Sequence, residues 1–202
     1  MTPQPAKKKK RRQEKIPAYL SEGEIKRLFH VIKSARDRAL FSVIYYRGLR
    51  ASEVGMIEMG DYREDCGRLT IRRLKGSRGG EYPLTHAEKV SLGAWLRERG
   101  KEPGPMFPSR QGRRGLSRKM LHELMRHYCK LAGIDPSKAH CHALKHSCGT
   151  HLSAIDPDIV SIQDHLGHAC ISNTMKYIQI SSKRREDFIK RTDRSGWGRI
   201  TR

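Results

Sequence analysis

Apolar and polar side chains alternate along most of the chain with the 3.6-residue period of an amphipathic helix. The first such segment begins with the capping-box sequence Ser-Glu-Gly-Glu at 21–24, and Ile25, Leu28, Phe29 and Ile32 follow on one helical face. A second capping box begins at Thr85. Further helices are predicted at 35–46, from Ser52, from 85 to 100, and at 117–132, 140–154, 158–165, 171–179 and 183–192. The chain is therefore predicted to be mostly helical.

The pattern changes near residue 70, where apolar positions alternate with the period of a strand. Residues 68–74 include β-branched side chains, and residues 81–84 form a short extended segment. Gly76, Gly79 and Gly80 lie between them, so we expect a hairpin with a basic, flexible tip. The predicted fold class is mainly α with one small antiparallel β-sheet, an α+β domain.

Charge narrows the choice of function. The 202 residues carry 42 Lys and Arg against 21 Asp and Glu, a net charge of +21, and only 36% of them are hydrophobic. Folding does not need this excess, which adds self-repulsion, whereas binding to a nucleic acid explains it. A membrane surface is a weaker alternative, because the chain lacks a long apolar run. A structural RNA-binding protein fits the composition equally well.

The positive charge is not confined to the N-terminus. Residues 1–16 contain seven Lys or Arg and one Glu, which leaves about +15 on the rest of the chain. We expect 1–16 to be a basic tail that stays disordered until it meets phosphate, and 17–202 to be a single folded domain. We expect no separate domain before it.

Cysteine usage indicates a reducing compartment. The five cysteines are scattered, odd in number and without a Cys-x-x-Cys pair, and the N-terminal cations are not followed by the apolar run of a secretion signal. We therefore expect a cytoplasmic protein. His122 and His127 lie in a segment that superficially resembles a zinc-protease helix, but a spacing of five puts them on different sides of a helix, so no metal site is predicted.

Four short motifs follow one another along the chain. They are Gly-Leu-Arg-Ala-Ser-Glu at 48–53, Lys-Gly at 75–76, His-Ala-Leu-Lys-His at 142–146, and Leu-Gly-His at 166–168, with Tyr177 nine residues after its histidine. Each is weak alone, since a helix-end Arg is usually solvated and a lone His or Tyr usually belongs to a core. Their joint occurrence in a strongly basic chain indicates a site.

The order and spacing of these motifs resemble the catalytic domain of the tyrosine recombinases, the phage integrase family, over about residues 20–190. The resemblance implies a catalytic set of Tyr177 as nucleophile with Arg50, Lys75, His142, Lys145 and His168. The sequence departs from the family pattern in two ways. Lys145 stands where a second catalytic Arg is expected, and we expect the helical DNA-core-binding domain that usually comes first to be absent. The variant Lys145→Arg should therefore cleave DNA faster than the natural sequence, unless the site has adapted to the shorter ammonium of the lysine.

These residue types suit attack on a phosphodiester. A phenol with a pKa of about 10 must attack at neutral pH, the charge developing on phosphorus must be neutralised, and the leaving 5′-oxygen must be protonated. An Arg fork can hold phosphate oxygens without a metal. The resemblance implies that Lys75 protonates the leaving oxygen and that His142 and His168 bind phosphate and orient the phenol. A covalent 3′-phosphotyrosyl link conserves the bond energy, so no cofactor is expected.

We therefore expect a site-specific DNA recombinase that cleaves and rejoins strands in integration, excision or inversion. The resemblance implies that its partner is double-stranded DNA with inverted half-sites, on which homodimers assemble into a homotetramer, and we expect it to associate with the nucleoid. Phosphate contacts are predicted from Lys7, Lys8, Lys9, Lys10, Arg11, Arg12, Arg72, Arg73, Arg78, Arg113, Arg114 and Arg118.

Two other functions fit the same motifs. One is a DNA-binding accessory or regulatory protein with the recombinase fold, which cuts poorly or not at all because of Lys145. The other is a topoisomerase-like activity that uses the same chemistry and relaxes supercoils without a defined site. A trapped covalent adduct on a nicked duplex would distinguish the first alternative from a recombinase. Supercoil removal without a preferred site would identify the second.

Overall fold

The computed structural model describes residues 17–74, 76–109, 114–156, 158–178 and 182–194. Its helices there are α1 (Glu22–Val31), α2 (Ala35–Arg47), α3 (Ala51–Val54), α4 (His86–Arg99), α5 (Arg118–Leu131), α6 (Cys141–Ile155), α7 (Ile159–Leu166), α8 (Ser172–Met175) and α9 (Ser182–Arg194). Its strands are β1 (Tyr62–Arg63), β2 (Arg68–Ile71) and β3 (Gly80–Pro83), which form one antiparallel sheet in that order. The predicted fold class is confirmed. None of the described helices is both long and apolar enough to cross a membrane.

The two capping boxes predicted from the sequence begin α1 and α4. The Ser21 hydroxyl accepts a hydrogen bond from the backbone N–H of Glu24, whose carboxylate accepts one in return from the N–H of Ser21. Thr85 and Glu88 repeat this arrangement at α4. Each box provides partners for N–H groups that a helix start leaves unbonded, which explains why both boundaries could be predicted.

Helix α2 lies at the centre of the molecule and packs against both α4 and α6. Phe41 and Ile44 on this helix are completely buried. The guanidinium of Arg47 forms two hydrogen bonds of 2.8 Å with the carboxylate of Glu88, so a buried ion pair joins α2 to α4. Because α2 is enclosed on several sides, it provides a fixed support for the segment that follows it at 48–53.

The chain turns sharply where α2 and α7 end. Gly48 and Gly167 both adopt the left-handed conformation, with φ of 54° and 62°. A Cβ at Gly48 would lie 2.4 Å from a methyl group of Leu166, so the two turns approach each other closely. This contact brings the first and the last of the four motifs together.

Three local predictions were wrong. Strand β2 ends at Ile71 rather than 74, because the chain then leaves the sheet and turns the side chain of Arg73 inward. The two-residue strand β1 gives no periodic signal and was missed. Over the described residues 171–178, the helix predicted at 171–179 is reduced to α8, because the N–H groups of Tyr177 and Ile178 bond three residues back, in tight turns that end the α-helix. Residue 179 lies outside the described residues.

Candidate active site

The proposed nucleophile, Tyr177, lies in a slot beside helix α6. Its side chain belongs to the core and is 2% exposed. A Cβ at Gly149 would lie 2.6 Å from Cε2 of the tyrosine, so only a glycine leaves room for this ring. The hydroxyl of Ser153 donates a 2.8 Å hydrogen bond to the backbone carbonyl of Tyr177. Two residues of α6 therefore fix the ring and the backbone of the tyrosine.

Two histidines flank the phenol. The Nδ1 atom of His146 lies 2.8 Å from the Tyr177 hydroxyl, and the ring of His168 stacks on the phenol with a centroid separation of 6.3 Å and an interplanar angle of 16°. His168 is held by a 2.9 Å hydrogen bond between its Nδ1 and the hydroxyl of Thr174. Burial, followed by the charge of Lys145, lowers the pKa of His168 to about 3, so this ring is neutral at physiological pH.

Arg50 starts helix α3 directly after the turn at Gly48. Its Nη1 donates hydrogen bonds of 2.7 Å to Glu53 and 2.8 Å to the hydroxyl of Ser77, and its side chain is 27% exposed. It lies close enough to Tyr177 for its positive charge to counter part of the rise that burial causes in the tyrosine pKa. The Gly48 turn before Arg50 also contacts Leu166, two residues before the histidine that stacks on the phenol, so Arg50 and the phenol belong to one site.

The buried carboxylate of Glu53 anchors two guanidinium groups, those of Arg50 and Arg73. Burial by itself would raise the pKa of this carboxylate, but hydrogen bonds from Arg50 and the charge of Arg73 outweigh burial and leave the pKa below its usual value. Arg73 lies on the opposite side, with its Nη1 3.2 Å from the carboxylate. The site thus holds an ionised glutamate between two arginines.

Arg73 itself contradicts a prediction. Its side chain is 0% exposed, and besides Glu53 it donates to the backbone carbonyls of Arg47, Gly48 and His165. A guanidinium with these partners is not available at the surface, so the predicted DNA contact of Arg73 is wrong for this structure. Its position instead joins the Arg50 segment to the end of α7.

Lys145, like the side chain of Arg73, is buried rather than exposed. Its ammonium donates hydrogen bonds to the carbonyl oxygens of Gly48 at 2.7 Å and Leu166 at 3.3 Å, and the residue is 4% exposed. Burial, followed by the charges of Arg73 and Arg50, lowers the pKa of Lys145 to about 7. In the DNA-free protein this lysine therefore joins the turns that carry Arg50 and His168.

The low pKa of Lys145 predicts a pH-dependent stability. Above pH 7 the folded protein releases this proton, whereas the unfolded chain keeps it until about pH 10, so the unfolded state binds more protons in that window. Stability should rise with pH there by up to about 1.4 kcal/mol per unit. We expect Lys145→Met to remove this component, as measured by urea unfolding between about pH 7 and 10. The exposed Lys26→Met is the matched control, and an unchanged slope in Lys145→Met would contradict the prediction.

The other predicted residues are distributed around this centre. His142 lies at the surface, with its ring centroid 6.3 Å from that of His146. Removal of part of its ring from water, followed by the charges of His140 and Lys145, lowers its pKa. Arg72 is half-exposed and paired with Asp61. Among the other cations predicted to contact DNA, Arg78, Arg114 and Arg118 are exposed. The backbone N–H of Arg78 also donates a hydrogen bond to the carbonyl of Gly167. Lys75, Arg113 and the six tail residues Lys7, Lys8, Lys9, Lys10, Arg11 and Arg12 lie outside the described residues.

The comparison with known families agrees with this geometry. Residues 18–184 match the family model described as the phage integrase family. The chain belongs to the phage integrase family. The resemblance inferred from the four motifs is thereby confirmed.

Relatives of this integrase-family chain include tyrosine recombinases. It is 31% identical over 182 residues to tyrosine recombinase XerA of Pyrococcus furiosus, covering 88% of this chain but 63% of XerA. It is 32% identical over 178 residues to the type 1 fimbriae regulatory protein FimE of Escherichia coli K12, covering 82% of this chain and 87% of FimE. The fold is similar to that of the XerH site-specific recombinase bound to its difH substrate, with a TM-score of 0.74, 25% identity, and coverage of 87% of this chain and 55% of XerH.

Two parts of this integrase-family site were not assigned from the sequence. His146, which contacts the Tyr177 hydroxyl, was recognised only as the end of the third motif, although its i+4 spacing from His142 places both on one face of α6. Ser77 gives no signal beyond its place in a glycine-rich turn, yet its hydroxyl accepts a hydrogen bond from Arg50. The spacing could have identified the first of these and nothing local could have identified the second.

Proposed function

We propose that this phage integrase family member is a site-specific DNA recombinase that cleaves and rejoins strands through a covalent 3′-phosphotyrosyl intermediate. One observation carries the proposal. The Tyr177 hydroxyl is bonded to a neutral histidine, and the cations Arg50 and Lys176 act on this pair. A nucleophile, a proton acceptor and fixed positive charge are what transfer of a phosphodiester to a phenol requires.

Arg50 is the residue best placed to bind the scissile phosphate. It is partly exposed and anchored by Glu53, so its guanidinium is held in place before DNA arrives. Preorganised donors stabilise a developing oxyanion without having to reorganise during the reaction. Arg73 and Lys145 lie behind it, where they hold the Arg50 and His168 turns together.

Residues on both sides of position 75 support the proposed acid role of Lys75. The N–H of Leu74 donates to the carboxylate of Glu53 at 3.4 Å, and Ser77 bonds to Arg50. The N–H of Arg78 donates to the carbonyl of Gly167 at 3.1 Å, which fastens the hairpin to the turn that precedes His168. A lysine between these anchors is suited to protonate the leaving 5′-oxygen.

A basic cleft leads from this centre along α5. It has a volume of about 800 Å³ and is bordered by His142 at the catalytic end. Its other polar lining residues are Arg118, Lys119, His122 and His140. We propose that duplex DNA lies along this cleft, because its cationic side chains suit phosphate. We also propose that 17–202 is the catalytic unit, and that it acts as dimers on inverted half-sites, assembling into tetramers in the nucleoid.

Covalent capture tests the proposal. The full chain is incubated with randomly nicked, sheared genomic DNA of the source organism, so that a fragment released beside a nick diffuses away and the adduct accumulates. Complexes are denatured in SDS, digested, and analysed by mass spectrometry and sequencing. We expect a nucleotide attached to the Tyr177 peptide and enrichment of one DNA sequence. A nucleotide attached to another residue would refute the proposal. Adducts that are no more abundant than with heat-denatured protein would also refute it. Duplex binding without adducts would favour the accessory-protein alternative.

The tail makes a separate prediction about salt dependence. Residues 1–16 carry seven cations and no aromatic side chain, so we expect them to bind phosphates on any sequence rather than to read base edges. Deleting 1–16 should weaken binding equally on specific and unrelated duplexes. It should also flatten the slope of log K against log salt by about 0.9 for each phosphate that the tail had neutralised. A length-matched variant with Gln at the tail cations is the control, and an unchanged slope would show that the tail does not bind DNA.

A further inference from the structure

The Tyr177 hydroxyl has one hydrogen-bond partner among the described residues, and it is His146. The two atoms, Oη and Nδ1, are 2.8 Å apart, and the ring centroids are separated by 5.9 Å. His146 lies one helical turn after His142 on α6. The roles implied by the four motifs leave this contact without a function.

We propose that His146 is the base that removes the proton of Tyr177 during strand cleavage, an inference that rests on the proposed function. In this step the bond between Oη of Tyr177 and phosphorus forms while the bond from phosphorus to the 5′-oxygen breaks. The phenolic proton passes to Nδ1 of His146. The 5′-oxygen receives its proton from the cationic acid proposed above, so protons and charge balance across the step. Rejoining reverses both transfers.

The direction of the hydrogen bond follows from the two protonation states. Burial, followed by the thiol of Cys148, raises the pKa of Tyr177, so the phenol is protonated at neutral pH. Burial, followed by the charge of Lys176, lowers the pKa of His146 to about 4, so its imidazole is neutral. The phenol therefore donates its proton to Nδ1, and the imidazole carries its own proton on Nε2. The donor and the acceptor are already aligned for transfer.

The packing around the pair keeps this alignment. Gly149 leaves room for the ring on one side, and His168 stacks against the phenol. Ser153 holds the backbone of the tyrosine. A ring fixed at these points keeps its hydroxyl near His146, so transfer needs little motion before attack.

The charges around His146 should make its pKa depend on whether DNA is bound. Four positively charged or protonatable groups lower the pKa of His146. Lys176 lies beside the nucleophile in sequence, whereas His142, Lys145 and the N-cap residue His140 belong to the helix of His146 itself. A bound phosphodiester brings a negative charge into this cluster and opposes that effect. His146 should therefore be a weak base in the free protein and a stronger base on DNA.

A second tyrosine–histidine pair in the chain has the same hydrogen bond but does not lie among the catalytic cations. Tyr45 and His151, the latter also on α6, form a hydrogen bond of the same length, 2.8 Å. Burial, followed by the charges of Cys148, Tyr46 and Glu22, raises the pKa of Tyr45 to about 12, and no cation is among these causes. The two pairs share their chemistry, and only the pair at Tyr177 lies among the catalytic cations.

The test measures single-turnover adduct formation on the nicked duplex recovered by covalent capture, with the full chain at saturating concentration. Asn at 146 can accept the hydrogen bond but cannot take the proton, so we expect His146→Asn to react roughly 100-fold more slowly with unchanged duplex affinity. In the wild type, the rate should fall at acid pH as His146 becomes protonated. His146→Asn should lose this inflection, and imidazole added to His146→Ala should restore part of the rate. His151→Asn should behave as the wild type.

The outcomes separate this inference from the proposed function. If His146→Asn reacts within about twofold of the wild type, or keeps the acid inflection, His146 is not the base, while Tyr177 adducts still support recombination. If the wild type forms no adduct, both proposals fail. If thermal unfolding shows His146→Ala to be unfolded, the rate and pH profile of His146→Asn decide the question.

Discussion

Tyr177→Phe should form no covalent DNA adduct while binding duplex DNA nearly as well as the wild type. The change removes the oxygen proposed to attack phosphorus and keeps the ring that fills the slot beside Gly149. Duplex affinity should hold because it depends on phosphate contacts made by exposed cations. The stability cost should be about 1 kcal/mol, since one hydrogen bond to a neutral histidine is removed. Denaturing gels report the adduct and filter binding reports the affinity.

Tyr45→Phe is the matched control for this experiment. It also removes a tyrosine hydroxyl that bonds to a histidine of α6, here His151, at 2.8 Å. A general disturbance of α6 would slow both variants, whereas loss of the nucleophile stops only one. Adducts formed by Tyr177→Phe at any appreciable rate would assign the nucleophile to another residue.

The helices could be predicted largely because their boundaries are local. The capping boxes at Ser21 and Thr85 and the left-handed Gly48 act within a few residues of the helix end they define. The sheet was also predicted, apart from its two-residue strand β1. The end of α7 at Gly167 follows the same rule as Gly48. Short-range hydrogen bonding is thus sufficient for most of this secondary structure.

The interior of the site could not be predicted in the same way. Arg73 was assigned to DNA because it lies in the basic hairpin, yet its guanidinium is enclosed by Glu53 and three backbone carbonyls. Lys145 also lies inside, between the carbonyls of Gly48 and Leu166. Both positions depend on two turns distant in sequence meeting at Gly48, and no periodicity encodes that contact.

Arg73 and Lys145 change how the departure at position 145 is understood. Both donate to the carbonyl of Gly48, so a guanidinium at 145 would have to share a buried pocket with that of Arg73. This crowding favours the alternative in which the site has adapted to the shorter ammonium. The faster cleavage expected of an Arg at 145 from the family pattern alone has less support in this structure.

Arg50→Ala should lower the rate of adduct formation by roughly 10²–10³-fold, the usual loss when one oxyanion donor is removed. Among the described residues, the hydrogen bonds of the Arg50 side chain run through Nη1, to Glu53 and Ser77. The remaining guanidinium N–H groups can therefore bind a phosphate oxygen without breaking these anchors. Single-turnover cleavage of the captured nicked duplex measures the loss. The affinity for uncut duplex should change much less, because one contact among many is removed.

The fold should tolerate this change, which makes the kinetic result interpretable. Glu53 would keep its ion pair with Arg73, so Arg50→Ala does not leave an isolated buried carboxylate. Arg97→Ala, which removes an exposed charge from the last turn of α4, is the charge-matched control and should cleave at the wild-type rate. Arg50→Lys keeps the charge but loses the fork, so its rate should fall between those of the wild type and the alanine variant. If Arg50→Ala cleaves as fast as Arg97→Ala, Arg50 does not bind the scissile phosphate, and the charge in the transition state must be neutralised by another cation.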